Sequence, residues 1–334
     1  MIIRIGFTGT HFASMHAAAA QKIPDVELSA VVNHRSESMS RFAEEFSIPY
    51  QYATVEDLLR EKKVDALVVS TPNALHAPQS IAALQAGVHV LVEKPLAMNS
   101  AEAEKMLATS EKSGALLMAA YCYRFHPAVR WLRTQVEAGR VGKILRTKGY
   151  SVHVNWGPQG WFTQKELAGG GALIDMGIHI LYITRYLLGD LQPKRVYAKI
   201  DTFYRDFNVD DTCSLMIEWE NGIFTYIETG WWQPHSDGQE ISAQLYGTAG
   251  FGEVFPTRLT IPGSGWRDEV EKLPEVEGLD GFPREMMMEK QMKYFIDCIR
   301  EGKKPVPGGF EGWTDMRIID SAYTSAQTGN VISL

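Results

Sequence analysis

The chain has 334 residues, of which 45% are hydrophobic and 22% are charged, and its formal net charge at pH 7 is -7. This composition is typical of a soluble globular protein and excludes a disordered or fibrous chain. Because single hydrophobic cores stop growing at about 250–300 residues, the length predicts two domains. The acidic balance and the lack of a dense Lys/Arg run argue against nucleic acid as a partner.

The start of the chain and its cysteines bear on its compartment. The strand-like run Ile2–Phe7 shows no secretory leader, and no uninterrupted apolar stretch approaches the roughly 20 residues of a membrane helix. Cys122, Cys213 and Cys298 are far apart and odd in number, so we expect buried thiols rather than disulfides or a zinc site. We therefore expect a cytoplasmic protein with neither a membrane nor a metal as partner.

Apolar β-branched runs alternate with helix-period segments up to about residue 120. The apolar runs predict strands at Ile2–Phe7, Glu27–Val32, Ala66–Ser70, Val88–Val92 and Leu116–Ala120. Helices are predicted at Ser36–Phe46, Thr54–Glu61, Ala77–Ala86 and Ser100–Ser113. Continuous apolar strands with connections of this length indicate right-handed crossovers in a parallel sheet. Residues 1–121 are thus predicted to form a doubly wound α/β domain.

The pattern changes in the second part, residues 122–334, for which we predict an α+β domain. Residues 127–139 have a helical period, and long alternating strands follow them. Asn221 and Gly222 predict a hairpin between the strands Thr212–Trp219 and Ile223–Trp232.

In both hairpin strands, the residues that point to either face of the sheet are apolar or aromatic. One face can pack against the helices of the domain, and the other face then needs a second element to bury it. A second subunit would supply that cover, which predicts a homo-oligomer; cover by the C-terminal segment is the alternative. The last helical segments, Arg284–Glu301 and Thr314–Thr328, are predicted to pack back on the first domain.

The first strand-to-helix turn carries an irregular dinucleotide fingerprint. Gly9 stands at the first glycine position, but His11 and Ser14 replace the second and third glycines. The turn follows a strand and opens a helix, where the backbone from Gly9 through Thr10 and His11 to Phe12 can receive a pyrophosphate. We therefore predict a nicotinamide dinucleotide at this turn.

The end of the second strand indicates which dinucleotide is bound. Asn33 stands where a carboxylate normally binds the ribose of NAD, and His34, Arg35 and Ser36 follow it. Loss of the carboxylate removes repulsion towards a 2′-phosphate, which a guanidinium can bind. The sequence favours NADP over NAD, although a solvated role for Arg35 is the alternative.

Three titratable residues suggest the chemistry. Lys94 follows the strand Val88–Val92 and precedes a proline, so it is expected in extended backbone at the carboxyl edge, where open α/β sheets bind ligands. Asp175 and His179 are four residues apart after a triple glycine, a spacing that places both on one face of a helix. Such a pair is an acid-base unit, in which the aspartate orients the ring. A surface lysine, a capping aspartate and a core histidine are the alternatives.

Three ordered segments carry a family resemblance. They are Ser70-Thr71-Pro72-Asn73-Ala74-Leu75-His76, Glu93-Lys94-Pro95 and the run from Gly169 to His179. With them, the chain resembles the glucose-fructose oxidoreductase / inositol dehydrogenase / rhizopine catabolism protein family over nearly its whole length. The resemblance implies a Rossmann domain, a second domain with a large, mostly antiparallel open sheet, and NAD or NADP between the two. It also implies sugar or cyclitol substrates, and we expect a dimer or tetramer.

The resemblance implies roles for single residues. Lys94, Asp175 and His179 match the family's catalytic positions, where they would also bind substrate. The expected cofactor contacts after later strands are Thr71, Pro72, Asn73, His76, Glu93 and Lys94. Weaker substrate-binding candidates are Arg124, His153, Asn155 and Trp161, the last because sugar rings stack on tryptophans. Tyr182 departs from the family, many members of which carry an aspartate there.

These features predict hydride transfer between a sugar, cyclitol or related polyol and NAD(P), with proton exchange through His179. Two other functions stay open. One is a non-catalytic, cofactor-sensing binding protein of the same fold. The other is an NAD-dependent glycosidase, in which oxidation is transient.

Overall fold

The computed structural model describes residues 2–234, 240–263, 268–272 and 283–334. Its helices are α1 (Ala13–Gln21), α2 (Ser36–Glu45), α3 (Val55–Glu61), α4 (His76–Gln85), α5 (Ser100–Ser113), α6 (Pro127–Glu137), α7 (Lys165–Ala168), α8 (Ile178–Leu188), α9 (Arg284–Glu301) and α10 (Gly309–Thr328). Its strands are β1 (Ile3–Thr8), β2 (Val26–Val32), β3 (Tyr50–Tyr52), β4 (Ala66–Val69), β5 (His89–Val92), β6 (Leu117–Ala119), β7 (Ile144–Val154), β8 (Pro193–Asp201), β9 (Thr212–Trp219), β10 (Phe224–Gln233), β11 (Ile241–Gly247), β12 (Phe251–Val254), β13 (Arg258–Pro262), β14 (Asp268–Lys272) and β15 (Ile332–Ser333).

The chain divides into two compact units. The first comprises Met1–Cys122 and Pro283–Met316, and the second comprises Tyr123–Phe282 and Arg317–Leu334. Helix α10 therefore contributes residues to both units.

The first unit contains a six-stranded sheet in the order β3-β2-β1-β4-β5-β6, and its neighbouring strands pair in parallel. This is the strand order of a Rossmann domain, in which the order reverses between β1 and β4. The side chains of β4 are all buried, as expected for a parallel sheet covered on both faces. The predicted doubly wound α/β fold is confirmed.

Capping residues explain why the predicted bounds of some helices agree with the structure. The Asn99 side chain accepts the backbone N–H of Glu102, which begins α5, and Gly114 ends the helix with a φ of 74°. The edge strand β3 was not predicted, because its three residues are exposed or half-buried and carry no apolar run.

Helix α9 belongs to the first unit and packs against α1. Lys22 at the end of α1 forms an ion pair with Glu289, and Arg300 donates to the main-chain oxygen of Pro24. Helix α10 begins five residues earlier than the predicted Thr314, in a glycine-containing segment that lacks a clear apolar period.

The second unit contains a nine-stranded sheet in the order β14-β13-β12-β11-β7-β10-β9-β8-β15. Its neighbouring strands are antiparallel except for β7 and β10, so the sheet is mostly antiparallel, as the resemblance implied. The predicted hairpin joins β9 and β10, where Gly222 has a φ of 83° and donates its N–H to the oxygen of Trp219.

The two faces of this sheet differ in burial. Helix α8 packs against β7 and β11, and alternate residues of β9, including Leu215 and Ile217, are buried. On the other alternation Met216 is 47% exposed. One face is therefore the core of the unit, and the other face is open.

One segment of the described chain, Lys165–Leu188, is long and apolar enough by length and composition to cross a membrane. It runs through α7 and α8, and 78% of its most apolar window is buried inside the protein. Such burial is what the core helix of a folded unit also shows.

Candidate active site

The turn between β1 and α1 depends on a close backbone approach. Gly9 has a φ of +79°, and a Cβ there would lie 2.6 Å from the main-chain oxygen of Ser70. Helix α1 begins at Ala13, and in the described part of the chain no side chain caps it. The N–H groups of Ser14 and Met15 donate to the main-chain oxygens of His11 and Phe12, so the turn closes directly onto the helix. The positive end of the helix dipole at this turn suits the pyrophosphate of a dinucleotide. At the third glycine position, Ser14 is accommodated because its hydroxyl donates to the main-chain oxygen of His11.

Asn33 ties the end of β2 to this turn. Its amide nitrogen donates to Thr10 Oγ1 at 3.1 Å, and its oxygen accepts the N–H of Arg35 at 3.0 Å. The side chains of His34 and Arg35 are exposed, and Ser36 begins α2. The residues expected near the adenosine ribose therefore surround the end of β2, and the uncharged Asn33 stands where NAD-binding folds normally carry a carboxylate.

The residues expected near the nicotinamide lie at the carboxyl edge of the same sheet. Thr71, Pro72 and Asn73 follow β4, and Lys94 follows β5. Lys94 is half-buried, and Asn73 is 5% exposed at the start of a short 3₁₀ turn. Because parallel strands end at one edge, the structure brings these loops to the side of the sheet that binds ligands in open α/β folds.

His76, expected as a cofactor contact, is bonded to the main chain of two loops. The side chain is buried, with Nδ1 at 2.7 Å from the oxygen of Pro95 and Nε2 at 2.9 Å from the oxygen of Thr71. Burial lowers the pKa of His76, although the two carbonyl oxygens oppose the shift. His76 therefore connects the loop after β4 to the loop after Lys94, and its contact with a cofactor stays a prediction.

Glu93, also expected as a cofactor contact, has a protein partner for each of its carboxylate oxygens. Oε1 lies 2.7 Å from Nε2 of His16, and Oε2 accepts the backbone N–H of Lys94 at 3.2 Å. Burial alone would raise the pKa of Glu93, but the hydrogen bond and charge of His16 and the ammonium of Lys94 outweigh it, so the pKa is lowered. An ionised Glu93 therefore holds the main chain of Lys94.

Sequence reasoning missed His16. It is fully buried in α1, and its only sequence signal is a histidine in an alanine-rich helix. Nothing in a helical period distinguishes such a residue from an ordinary core histidine.

In the second unit, Asp175 and His179 lie where one helix type changes to another. Leu173–Gly177 form a π-helical turn that carries Asp175, and His179 is in the first turn of α8. The sequence predicted an α-helix for both residues. Single π turns frequently occur at functional sites. Both side chains are half-buried, whereas their neighbours Ile174 and Ile178 are buried.

Three aromatic side chains contact this pair. Trp231 donates its indole N–H to Asp175 Oδ2 at 3.2 Å, and the hydroxyl of Tyr182 lies 2.9 Å from His179 Nδ1. The ring of Tyr123 packs edge-on against His179 at 5.3 Å between centroids. Asp175 was expected to orient His179, and the structure adds Tyr182 as a partner that sequence reasoning had not assigned.

Asp210 fixes the triple glycine that precedes the π turn. Its carboxylate accepts the N–H groups of Gly171 and Leu173 and the hydroxyl of Tyr323, each at 2.8 Å. A Cβ on Gly171 would lie 1.8 Å from the oxygen of Asp210, so only glycine fits there. Burial raises the pKa of Asp210, although these donors oppose the shift. The start of the π turn is thereby fixed.

Arg124, expected as a weaker substrate-binding candidate, is paired inside the second unit. Its side chain is 3% exposed and forms an ion pair with Asp190, and its guanidinium carbon lies 4.9 Å from the centroid of Tyr186. The charge is therefore balanced inside the second unit, where a lone arginine would be costly.

The other expected substrate residues belong to an aromatic segment. His153 stacks on Trp156 with 3.6 Å between centroids, and Trp161 stacks on Phe162 at 3.9 Å. Asn155, between them, is exposed with a φ of 57°.

Main-chain and ring contacts link this segment to Asp175. The oxygen of Trp156 accepts the N–H of Trp232 at 2.8 Å, and Trp232 packs edge-on against Trp231, which bonds Asp175. We call Trp156, Trp231 and Trp232 the tryptophan cluster.

The thiols and carboxylates of the described residues form no metal centre. Across 2–234, 240–263, 268–272 and 283–334, no group of three or more His, Cys, Asp or Glu side chains is arranged to hold an ion. Cys213 and Cys298 are buried free thiols, and Cys122 is half-buried.

The fold and these residues define a class: an oxidoreductase built on a dinucleotide-binding Rossmann unit. The model of the oxidoreductase family with an NAD-binding Rossmann fold matches residues 3–121, and the model of the GFO/IDH/MocA C-terminal domain matches residues 129–252. The chain belongs to the glucose-fructose oxidoreductase / inositol dehydrogenase / MocA family, which confirms the resemblance seen in its sequence.

Curated relatives match along most of their length. The chain is 29% identical to D-glucoside 3-dehydrogenase of Escherichia coli over 96% of this chain and 93% of that protein. It is 30% identical to D-xylose 1-dehydrogenase (NADP(+)) 2 of Haloferax volcanii over 92% of each. Among solved structures, levoglucosan dehydrogenase in complex with NADH matches with a TM-score of 0.90 at 24% identity, over 100% of this chain and 99% of that one, and shows the shared fold.

We expect Glu93→Gln to reduce the acid dependence of stability. A glutamate whose pKa is lowered by folding stabilises the fold fully above its unfolded value of about 4.3, and this contribution is lost as pH falls below that value towards the lower folded pKa. The variant should lose about 1–3 kcal/mol of unfolding free energy at neutral pH, since His16 loses a charged partner. Urea unfolding between about pH 3 and pH 7 measures both effects.

The control is Glu111→Gln, an exposed position on α5. Unfolding free energies of the wild type and Glu93→Gln that fall in parallel on acidification would show that Glu93 is not ionised in the pair.

Proposed function

We propose that this protein is an NAD(P)-dependent dehydrogenase that acts on a hydroxyl group of a sugar or related polyol. One observation carries the proposal: Asp175 and His179 are half-buried beside a π turn, and Asp175 accepts the indole N–H of Trp231, a member of the tryptophan cluster. A carboxylate and an imidazole supply acid-base chemistry, and Trp156, 48% exposed, offers a ring on which a sugar can stack. The names of the two curated relatives, both sugar dehydrogenases, support this substrate class.

Each residue has a distinct proposed role. When bound at the turn that begins with Gly9, the nicotinamide dinucleotide accepts or donates the hydride. Oxidation of an alcohol also requires loss of the hydroxyl proton, which we assign to His179 as the base. Asp175 stabilises the resulting imidazolium, and the ammonium of Lys94 polarises the substrate oxygen.

His179→Ala should lower kcat by roughly 10²–10⁴-fold, the usual contribution of a positioned acid-base group, while cofactor affinity stays nearly unchanged. Asp175→Asn should lower kcat by a smaller factor, and Lys94→Ala should also slow turnover. A panel of sugars, cyclitols and sugar acids, followed by the absorbance of reduced nicotinamide, identifies the substrate first. Lys62→Ala, at an exposed position of the first unit, is the control.

Three results would reject this assignment. Hydride transfer in His179→Ala at the wild-type rate would show that His179 is not the base. Release of an aglycone without net nicotinamide reduction would indicate a glycosidase, and cofactor binding without turnover of any panel member would indicate a binding protein.

We further propose that NADP is preferred over NAD. Asn33 offers no negative charge at the end of β2, and the exposed Arg35 is two residues away. Arg35→Ala should weaken NADP binding about tenfold or more and leave NAD binding unchanged, because only NADP carries the 2′-phosphate. Calorimetric titration with both cofactors measures this. Arg41→Ala, an exposed arginine on α2, is the matched control, and tighter binding of NAD than of NADP to the wild type would contradict the proposal.

We also propose that the protein is a homo-oligomer that buries the open face of the nine-stranded sheet. Tyr197 pairs with Met216 and Met216 with Tyr226 across three adjacent strands. Tyr197, Met216 and Phe224 are each 43–47% exposed. The C-terminal strand β15 pairs with the edge of β8, so the final residues extend the sheet sideways. A contiguous exposed apolar face of this kind favours association.

Met216→Glu should shift the protein towards monomer, because it places a charge at the centre of the open face. Light scattering at micromolar concentration measures the mass. Ile2→Glu, an equally drastic change at a 54% exposed residue of the first unit, is the control. A monomeric wild type would overturn the proposal.

A further inference from the structure

We propose that Tyr182 is a positioning residue that orients the imidazole of His179 for proton transfer. The inference rests on the proposed role of His179 as the base and adds the group that holds its ring. The observation behind it is the 2.9 Å separation between Tyr182 Oη and His179 Nδ1.

The hydroxyl of Tyr182 is itself fixed. The side chain is fully buried, and its oxygen accepts the backbone N–H of Tyr123 at 3.4 Å. Tyr182 is three residues after His179 on α8, a spacing that places the two side chains together on a helix. The Tyr123 ring also packs against both partners, with centroid distances of 5.3 Å to His179 and 6.4 Å to Tyr182. The hydrogen bond to Tyr182 and the ring of Tyr123 therefore both act on the imidazole.

We assign Tyr182 Oη as the acceptor in this hydrogen bond, and that direction decides which ring nitrogen can react. An imidazole that accepts a proton at Nε2 must carry its own proton on Nδ1 beforehand. The Nδ1–H then donates to Tyr182 Oη in both charge states of the ring. As the substrate O–H bond breaks, an Nε2–H bond forms, and the Nδ1–H bond is unchanged. Tyr182 thus keeps the ring in a single tautomer and orientation throughout the transfer.

A tyrosine does this without adding charge. A carboxylate in the same place would accept the same N–H and would also stabilise the imidazolium electrostatically. Among the described residues of this unit, Asp175, one turn earlier, and the phenol of Tyr123 are ionisable groups near the ring. Orientation and charge are therefore separable at position 182 by substitution.

The test compares Tyr182→Phe, Tyr182→Asn and Tyr182→Asp with the wild type. Tyr186→Phe, which removes a hydroxyl one turn further along α8, is the matched control. Thermal unfolding verifies that each variant is folded. Two readouts are used: kcat and KM as functions of pH, and nitrogen chemical shifts of the His179 ring in protein with ring-labelled histidine, assigned through a His179→Gln sample.

The wild-type ring should show the Nδ1–H tautomer when neutral. Tyr182→Phe should show a mixture of tautomers and a kcat lower by about tenfold, a part of the total acid-base contribution, with KM and cofactor affinity within about twofold. Tyr182→Asp should raise the pKa of His179 by about one unit or more and move the acid limb of kcat/KM upwards, whereas the similarly sized, uncharged Tyr182→Asn should not. Tyr186→Phe should behave as the wild type.

An Nε2–H tautomer in the wild type, or unchanged ring shifts and kcat in Tyr182→Phe, overturns this inference. The ring shifts are measured without substrate, so they test the orientation even if no sugar is oxidised. If His179→Ala loses turnover while Tyr182→Phe keeps the kcat and ring shifts of the wild type, the inference about Tyr182 is rejected and the proposed function is retained.

Discussion

A buried carboxylate, that of Asp210, defines the geometry of the candidate site in the second unit. Removing a carboxylate from water is costly unless donors compensate it, and here two backbone N–H groups and the hydroxyl of Tyr323 do so. The same contacts require glycine at position 171, because any side chain would collide with the main chain of Asp210. The π turn therefore starts from a fixed point, and the placement of Asp175 and His179 follows from it.

In the first unit, buried ionisable side chains likewise fix the main chain around Lys94. The residue before it, Glu93, turns inward to His16 and holds the Lys94 main chain, while His76 binds the main chain of the next loop. Ionisable side chains that the sequence suggested as ligand contacts are thus used to fix backbone. Because buried polar groups are costly when unsatisfied, such networks specify one loop conformation.

The sequence was informative where a periodic signal extends over many residues. Apolar strands covered on both faces, helix caps such as Asn99 and the Asn221-Gly222 turn each have a local cause, and the structure has these elements within a few residues of their predicted bounds. The missed features depend on tertiary contacts. The π turn requires Asp210, which is 35 residues after Asp175, and the role of Glu93 requires a histidine on α1.

The partners of other candidate site residues also depend on the fold. Arg124 and His76 are polar residues beside expected ligand loops, and composition alone cannot show that Asp190 neutralises the first or that two carbonyls surround the second. Tyr182 illustrates the reverse case, since a residue seen only as a departure from the family supplies the hydrogen bond to the candidate base.

The two units differ in the charge of the side chain that contacts the candidate catalytic residue, Lys94 in the first unit and His179 in the second. Glu93 stays ionised throughout the neutral range because its pKa is lowered, so the charge that the Lys94 main chain contacts is constant there. His179 Nδ1 lies instead 2.9 Å from the uncharged hydroxyl of Tyr182. The carboxylate of Asp175 accepts the indole N–H of Trp231. In the proposed mechanism, orientation of the base and stabilisation of its imidazolium are therefore assigned to different side chains, and an uncharged partner holds the ring without favouring its protonated form by Coulomb attraction.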